Sequence, residues 1–201
     1  MEKAYYLGLD QGTTGETALL LDRDMRVVAR GYHEHRQFFP KPGWVEHVPQ
    51  EILDSLLKAA EQAMRNAGVC WEQIRSIGLA NQGETCLMWD RYTGEPVYPA
   101  IVWQDRRTST AADALAQQHR EDIQQRTGLI VDGYFSATKL QWIMDNVPQV
   151  REKIEKGQLL AGTLDSWLVW KLTGGALHVT DCATASRTML FNIHEKRWDT
   201  V

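Results

Sequence analysis

An α/β domain is what this sequence predicts, on three observations. Two apolar runs near the start flank a short turn rich in Gly and Thr; an amphipathic segment then leads to another run of strand length; and the second half is dominated by helical periodicity. A meander followed by a helical crossover makes the later run a parallel neighbour of the first.

Residues 5–22 read YYLGLDQGTTGETALLLD, a strand, a tight turn and a returning strand. Gly12 and Gly15 let backbone N–H groups point into one small space beside Gln11, and Thr13 and Thr14 add hydroxyls, a concavity suited to phosphate oxygens. Asp10, at the end of the first strand, would repel phosphate unless a cation lay between them, which makes it a direct or water-mediated Mg²⁺ partner. An ordinary hairpin turn with no ligand explains the same residues.

Residues 26–32 predict a third strand. His33 and His35 then share one strand face, and without a third ligand nearby they read as surface histidines. Residues 38–49 hold three prolines, a glycine and Trp44 and predict an irregular crossing. In 50–66, Ile52, Leu53, Leu56, Leu57, Ala60 and Met64 recur at steps of three and four before Gly68, a helix. Residues 74–80 predict a buried strand, and 85–90 another. The apolar run 98–103 stops at Gln104, Asp105, Arg106 and Arg107. Polar strand ends commonly face a ligand crevice in open sheets, so 82–84 and 103–107 are expected on the side of Asp10. Helices follow at 109–119, 121–126, 136–146, 150–156 and 164–172, with Trp142, Trp167 and Trp170 as core or crevice wall. Residues 178–192 are expected to be extended.

Composition narrows the function. Hydrophobic residues at 43% and charged residues at 24% are those of an ordinary globular protein, and a net charge of −4 offers no basic field for nucleic acid. The first apolar run is too short and too soon interrupted by Asp10 for a signal peptide or membrane span. Cys70, Cys86 and Cys182 are odd in number and widely spaced, against a disulfide framework or structural zinc. A cytoplasmic location is expected, with no membrane partner. Neither a Walker A loop nor a Gly-x-Gly-x-x-Gly turn is present.

Several segments together resemble the FGGY carbohydrate kinases, their glycerol kinase branch most closely. They are DQGTT at 10–14, KPGWVEH at 41–47, NQGET at 81–85, AIVWQDRRT at 100–108, YFSATKLQWIMDN at 134–146 and TDCATASRTMLFNI at 180–193. The resemblance implies an actin-like, ribonuclease-H-like domain, a mixed central sheet flanked by helices, with residues 1–201 as the first, substrate-side domain of two that close over ATP and a polyol. It implies Asp10 at the metal and phosphate site, with Gln11, Gly12, Thr13 and Thr14 in the phosphate loop. It implies Gln82, Glu84, Trp103 and Tyr134 at a polyol or sugar. Glu84 can accept from two hydroxyls, Trp103 offers a flat apolar wall, and Tyr134 adds a hydroxyl; phosphoryl transfer is largely positioning and charge neutralisation.

Three departures stand out. Glycerol kinases carry Asn-Gln-Arg-Glu where this chain has Asn81-Gln82-Gly83-Glu84, which predicts a roomier pocket and an acceptor other than glycerol, a larger polyol or keto-sugar. The family usually has Arg or Lys where Thr17 stands, and Glu16 adds a negative charge; Arg106 or Arg107 would be the local replacement. The family's catalytic base lies beyond Val201, together with most of the adenosine site, so residues 1–201 alone are expected not to turn over ATP. An inactive actin-like carbohydrate-binding or regulatory module is the alternative, and homo-oligomerisation of a full-length protein is left open.

Overall fold

The computed structural model describes residues 4–200, which divide into two compact units. One unit runs through residue 37 and again from 48 to 82; the other takes 38–47 and the described residues from 83 on.

The first unit is a four-stranded sheet under one helix. Strands β1 (Tyr5–Gln11), β2 (Gly15–Leu21) and β3 (Val27–Glu34) form the antiparallel meander, and α1 (Pro49–Ala67) crosses to β5 (Ile74–Asn81), which pairs parallel with β1. The order β3-β2-β1-β5, with β4 belonging to the other unit, is that of a ribonuclease-H-like sheet. Period-two alternation sorts its faces: Leu7, Leu9, Ala18 and Leu20 are buried, and α1 meets them with Ile52, Leu56, Ala59, Ala60 and Ala63. Pro49 opens the helix, and Gly68, at φ 64°, closes it by donating its N–H to the Arg65 carbonyl. A Cβ on Gly31 of β3 would overlap the carbonyl of Ala59, so the helix can lie this close only over glycine.

The buried strand expected at 74–80 is parallel to β1, but it is not buried. Ile77 is 51% exposed, because α1 packs chiefly on β3 and β2 and leaves the β5 edge uncovered.

The second unit is built on an antiparallel sheet of order β4-β7-β6-β8: β4 (Glu46–His47), β6 (Cys86–Asp90), β7 (Ala100–Ile101) and β8 (Leu159–Thr163). Strand β8 has no counterpart among the sequence expectations; LLAGT is half-buried and broken by Gly162, too short for a clear period. Helices α2 (Ser109–Thr127), α3 (Ser136–Asn146), α4 (Val150–Glu155) and α5 (Leu164–Leu172) follow, so the two helices expected at 109–126 are one. The extended reading of 178–192 fails in its middle, where the Asp181 side chain accepts from the Thr184 N–H and starts α6 (Cys182–Ala185). A two-stranded ribbon, β9 (Phe191–Asn192) and β10 (Arg197–Trp198), ends the described chain. Met88, Ile101, Ile143 and Val150 form a shared core with Leu140 and Trp142 packed against it, while Trp167 is fully buried and hydrogen-bonds the Gly94 carbonyl.

Candidate functional site

In the first unit, β1 and β2 meet in the Gly12–Gly15 turn. The Gly12 N–H donates to the Gly15 carbonyl at 3.1 Å, so it closes the turn instead of standing free as expected for a phosphate cradle. A Cβ on Gly12 would lie 2.7 Å from that same carbonyl oxygen, which leaves room for glycine alone. Thr13 and Thr14 form the tip, and Thr14 is exposed. Asp10 is exposed at the strand end and pairs across the sheet with Thr17, while Gln11 pairs with Glu16. Alternation therefore puts Asp10 and Thr17 on one face and Gln11 and Glu16 on the other, buried face.

This placement corrects the reading of Glu16 as a negative charge added beside Asp10: its side chain has no exposed surface. His35 is corrected with it. His33 is exposed as expected, whereas the His35 ring is wholly buried with Nδ1 2.8 Å from Glu16 Oε1. Gln82, expected at the acceptor, is drawn to the Gly12–Gly15 turn: its Nε2 donates to Gln11 Oε1 at 3.1 Å, and its own Oε1 is buried without a partner.

In the second unit, Glu84, Trp103 and Tyr134 belong to one patch. The Trp103 and Tyr134 rings lie 5.5 Å apart and tilted by 59°. Thr85 Oγ1 accepts the Trp103 N–H, and Ser136 Oγ donates to the Glu84 carbonyl, so three separate elements are tied to one another. Two residues with no role expected from the sequence complete the patch. Arg187 donates from Nε to Glu84 Oε1 at 2.7 Å, with its guanidinium 5.8 Å from the Tyr134 ring centre and 5.0 Å from that of Phe135. Lys139 is fully buried and its Nζ donates to the carbonyls of Gly133 (2.6 Å), Tyr134 (2.5 Å) and Phe135 (3.3 Å), fixing the turn that presents Tyr134. Burial brings the Lys139 ammonium down to about 8, and burial also pushes the neighbouring Cys86 thiol up to about 12. A signal for Lys139 was available, since Ser136, Lys139 and Ile143 fall on one helical face. None distinguishes Arg187 within its segment.

Gly83 precedes this patch at φ 79°, and a Cβ there would meet nothing within 4 Å. The open space agrees with a missing side chain; the positive φ adds a backbone reason for glycine. Arg107 does not replace the absent cation. It is buried in a network with Asp105 (2.8 Å) and Glu46 (2.7 Å), stacked 3.8 Å from the Trp44 ring centre, and it locks 41–47 to 100–108. Arg106 is exposed and pairs with Asp132 at 3.3 Å. A separate cavity of about 520 Å³ in this unit is lined by Thr163, His178, Thr180, Cys182 and Trp198 among others, and by none of the expected site residues.

No helix among the described residues is long and apolar enough to cross a membrane, and none of their His, Cys, Asp and Glu side chains cluster in threes that could hold a metal ion. The sequence profile for the N-terminal domain of the FGGY family of carbohydrate kinases matches residues 5–201. The glycerol kinase of Deinococcus radiodurans is 52% identical over 198 residues, 98% of this chain and 40% of that protein. Glycerol kinase 2 of Thermotoga maritima is 54% identical over 196 residues, 97% and 40% of the two. In three dimensions, Plasmodium falciparum glycerol kinase with ADP superposes with a TM-score of 0.90 at 34% identity, covering 98% of this chain and 39% of that one. The chain thus spans about two fifths of the relatives it matches. With a profile match over residues 5–201 and relatives more than half identical across nearly the whole chain, this chain belongs to the FGGY family of carbohydrate kinases.

Proposed function

We propose that this chain is the N-terminal, substrate-side domain of an ATP-dependent kinase that phosphorylates a hydroxyl of a sugar or polyol. The patch in which Tyr134 lies against Trp103 on one side and Arg187, bonded to Glu84, on the other is the observation that supports this reading best. Glu84 would accept hydrogen bonds from acceptor hydroxyls, Trp103 would shield the C–H face, Tyr134 would orient a further hydroxyl, and Arg187 keeps Glu84 aimed. Gln82, with its unpaired Oε1, supplies a further acceptor at the turn it shares with Gln11.

The phosphate turn fits magnesium and nucleotide. An exposed carboxylate, Asp10, at the strand end beside a turn too tight for any residue but glycine at 12 suits Mg²⁺, which is usually held by one or two carboxylates, phosphate oxygens and water. The metal would neutralise charge on the phosphates during transfer. Gln11, Gly12, Thr13 and Thr14 shape the turn around them. The resemblance places the catalytic base beyond Val201, so residues 1–201 alone are expected to give no ATP turnover.

Gly83 supports an acceptor bulkier than glycerol, because the space beside it is empty of side chain. Calorimetry of the full-length protein with glycerol, erythritol and xylulose, with and without Mg-ATP, tests this. Binding of a four- or five-carbon acceptor that Glu84→Ala abolishes is the expected result; glycerol binding tightest overturns the acceptor, and no response to any polyol or sugar overturns the kinase. A second reading, a carbohydrate-binding module without catalysis, draws on Thr17: the paired strands β1 and β2 hold no Lys or Arg on the face of Asp10. Acceptor binding indifferent to Mg-ATP would favour it.

A further inference from the structure

Behind the Gly12–Gly15 turn, on the face away from Asp10, lies a carboxylate and imidazole pair that the kinase reading does not use. Glu16 and His35 approach to 2.8 Å with neither side chain exposed. His35 is bonded into the turn directly, and Glu16 lies opposite a residue that is. The His35 N–H donates to the Thr14 carbonyl at 3.4 Å, and Gln11, opposite Glu16, donates from Nε2 to the Gly12 carbonyl at 2.6 Å. Burial pushes the Glu16 carboxyl up, while His35, Gln11 and the Gly12 amide pull it back toward the ionised form. A buried pair of this kind is costly unless its charges match, and removing either partner leaves an uncompensated group.

We propose that Glu16 and His35 are a positioning pair for the Gly12–Gly15 turn, and that the number of protons they share sets how well the turn accepts a phosphate group. The inference rests on the reading of this turn as a phosphate loop. With His35 protonated and Glu16 ionised, or with both neutral, the pair carries no net charge behind the turn. Loss of one proton to solvent leaves a buried negative charge there, which repels phosphate and pulls the Gly12 amide toward Glu16. The charged groups that surround the pair differ in kind. Glu51 of α1 feels His35 but is held low chiefly by Arg36, on the exposed side; the Tyr32 hydroxyl, from β3, lies over Gly15; Gln11 of β1 is neutral. Exposed His33 stands opposite Glu16 in the β2–β3 ladder and exposed Glu34 opposite Gly15, so a pH response belongs to the pair where Glu16→Gln removes it and His33→Asn does not.

The test is nuclear magnetic resonance on the ¹⁵N-labelled chain. The His35 ring and the amides of Gly12 and Gly15 are expected to titrate with one midpoint, and exposed His33 with its own. In Glu16→Gln the glycine amides stop following the His35 ring. Amides that ignore His35 in the wild type overturn the inference, a result that needs no variant to fold. In the full-length protein, inorganic triphosphate should bind about tenfold less tightly relative to Glu16→Gln at pH 8 than at pH 5.5, the ligand's own protonation being common to both. Binding whose ratio between the two proteins does not change with pH sinks this inference and leaves the phosphate loop standing. No binding at all sinks the phosphate-loop reading, and this inference with it, while an intact glycine response would still show the pair coupled to the turn.

Discussion

Glu16 with His35 and Glu84 with Arg187 are two versions of one device, a glutamate held by a nitrogen base at 2.8 and 2.7 Å. The first shows no side-chain surface on either partner; the second leaves 41% of the Arg187 side chain open. A closed pair can reach a ligand only through the backbone it is bonded to, here the Gly12–Gly15 turn. An open pair has surface to offer a ligand directly, because the Arg187 fork commits Nε to Glu84 and retains its terminal donors. The open pair then needs its rigidity from elsewhere, and Lys139 supplies it from beneath the Tyr134 turn.

Removing that support has the largest expected effect. Lys139→Met strands three buried carbonyls and should cost about 3 kcal/mol in urea unfolding. The pH dependence carries a sign. Folded Lys139 titrates near 8 against an ordinary 10.5, so the folded state binds fewer protons between these values and stability rises with pH there. Cys86 opposes it: its folded value near 12 against 9.0 makes stability fall from 9 upward. The wild type should therefore gain stability from pH 8 to 9 and then flatten. Cys86→Ala should extend the rise to about 10.5, and a wild type that gains nothing above pH 8 would mean the ammonium is not buried as described.

Arg187→Ala should come next, weakening acceptor binding in calorimetry about tenfold, since it frees Glu84 from its partner at a half-exposed position where screening limits the charge term. Arg187→Lys should recover little, because a point charge replaces a fork stacked near two rings. Full recovery by lysine would reduce Arg187 to a simple counter-ion and erase its difference from His35. Smaller again is Gly83→Arg. A side chain at φ 79° costs about 1 kcal/mol of stability, while the empty space in front of it admits the new guanidinium; affinity should move toward glycerol and away from larger acceptors.

The sequence carried β1, β2 and α1 because their apolar residues keep clear periods, and Asp10 through Thr14 because they form one contiguous turn. What it hid depended on partners distant in sequence. Glu84 and Arg187 are 103 residues apart, and nothing local in SRT singles out the arginine. β8 was hidden because five half-buried residues give no period, and the exposure of β5 because burial of a strand depends on which helix reaches it. Glu16 is different: alternation from Leu20 and Ala18 already places it on the buried face, so its burial was legible, and only the partner that makes it tolerable, His35, required the third strand to be folded back.

That legible burial gives the finest test of the closed pair. Burial raises the Glu16 carboxyl, so the folded state holds its proton longer than the unfolded chain does. Below the ordinary carboxylate value of 4.5 both states are protonated and Glu16 costs nothing on this account. As pH rises past it, the unfolded chain ionises first and stability falls until the folded carboxyl has also let go. Glu16→Gln lacks this slope, so its stability relative to the wild type should improve as urea unfolding is moved from pH 4 to pH 7. The effect is the smallest of the four, read from the sign of a difference. A difference of the opposite sign would mean that His35 is already charged and stabilises the carboxylate more than burial penalises it, making the pair behind the turn electrostatically equivalent to the open pair at Glu84.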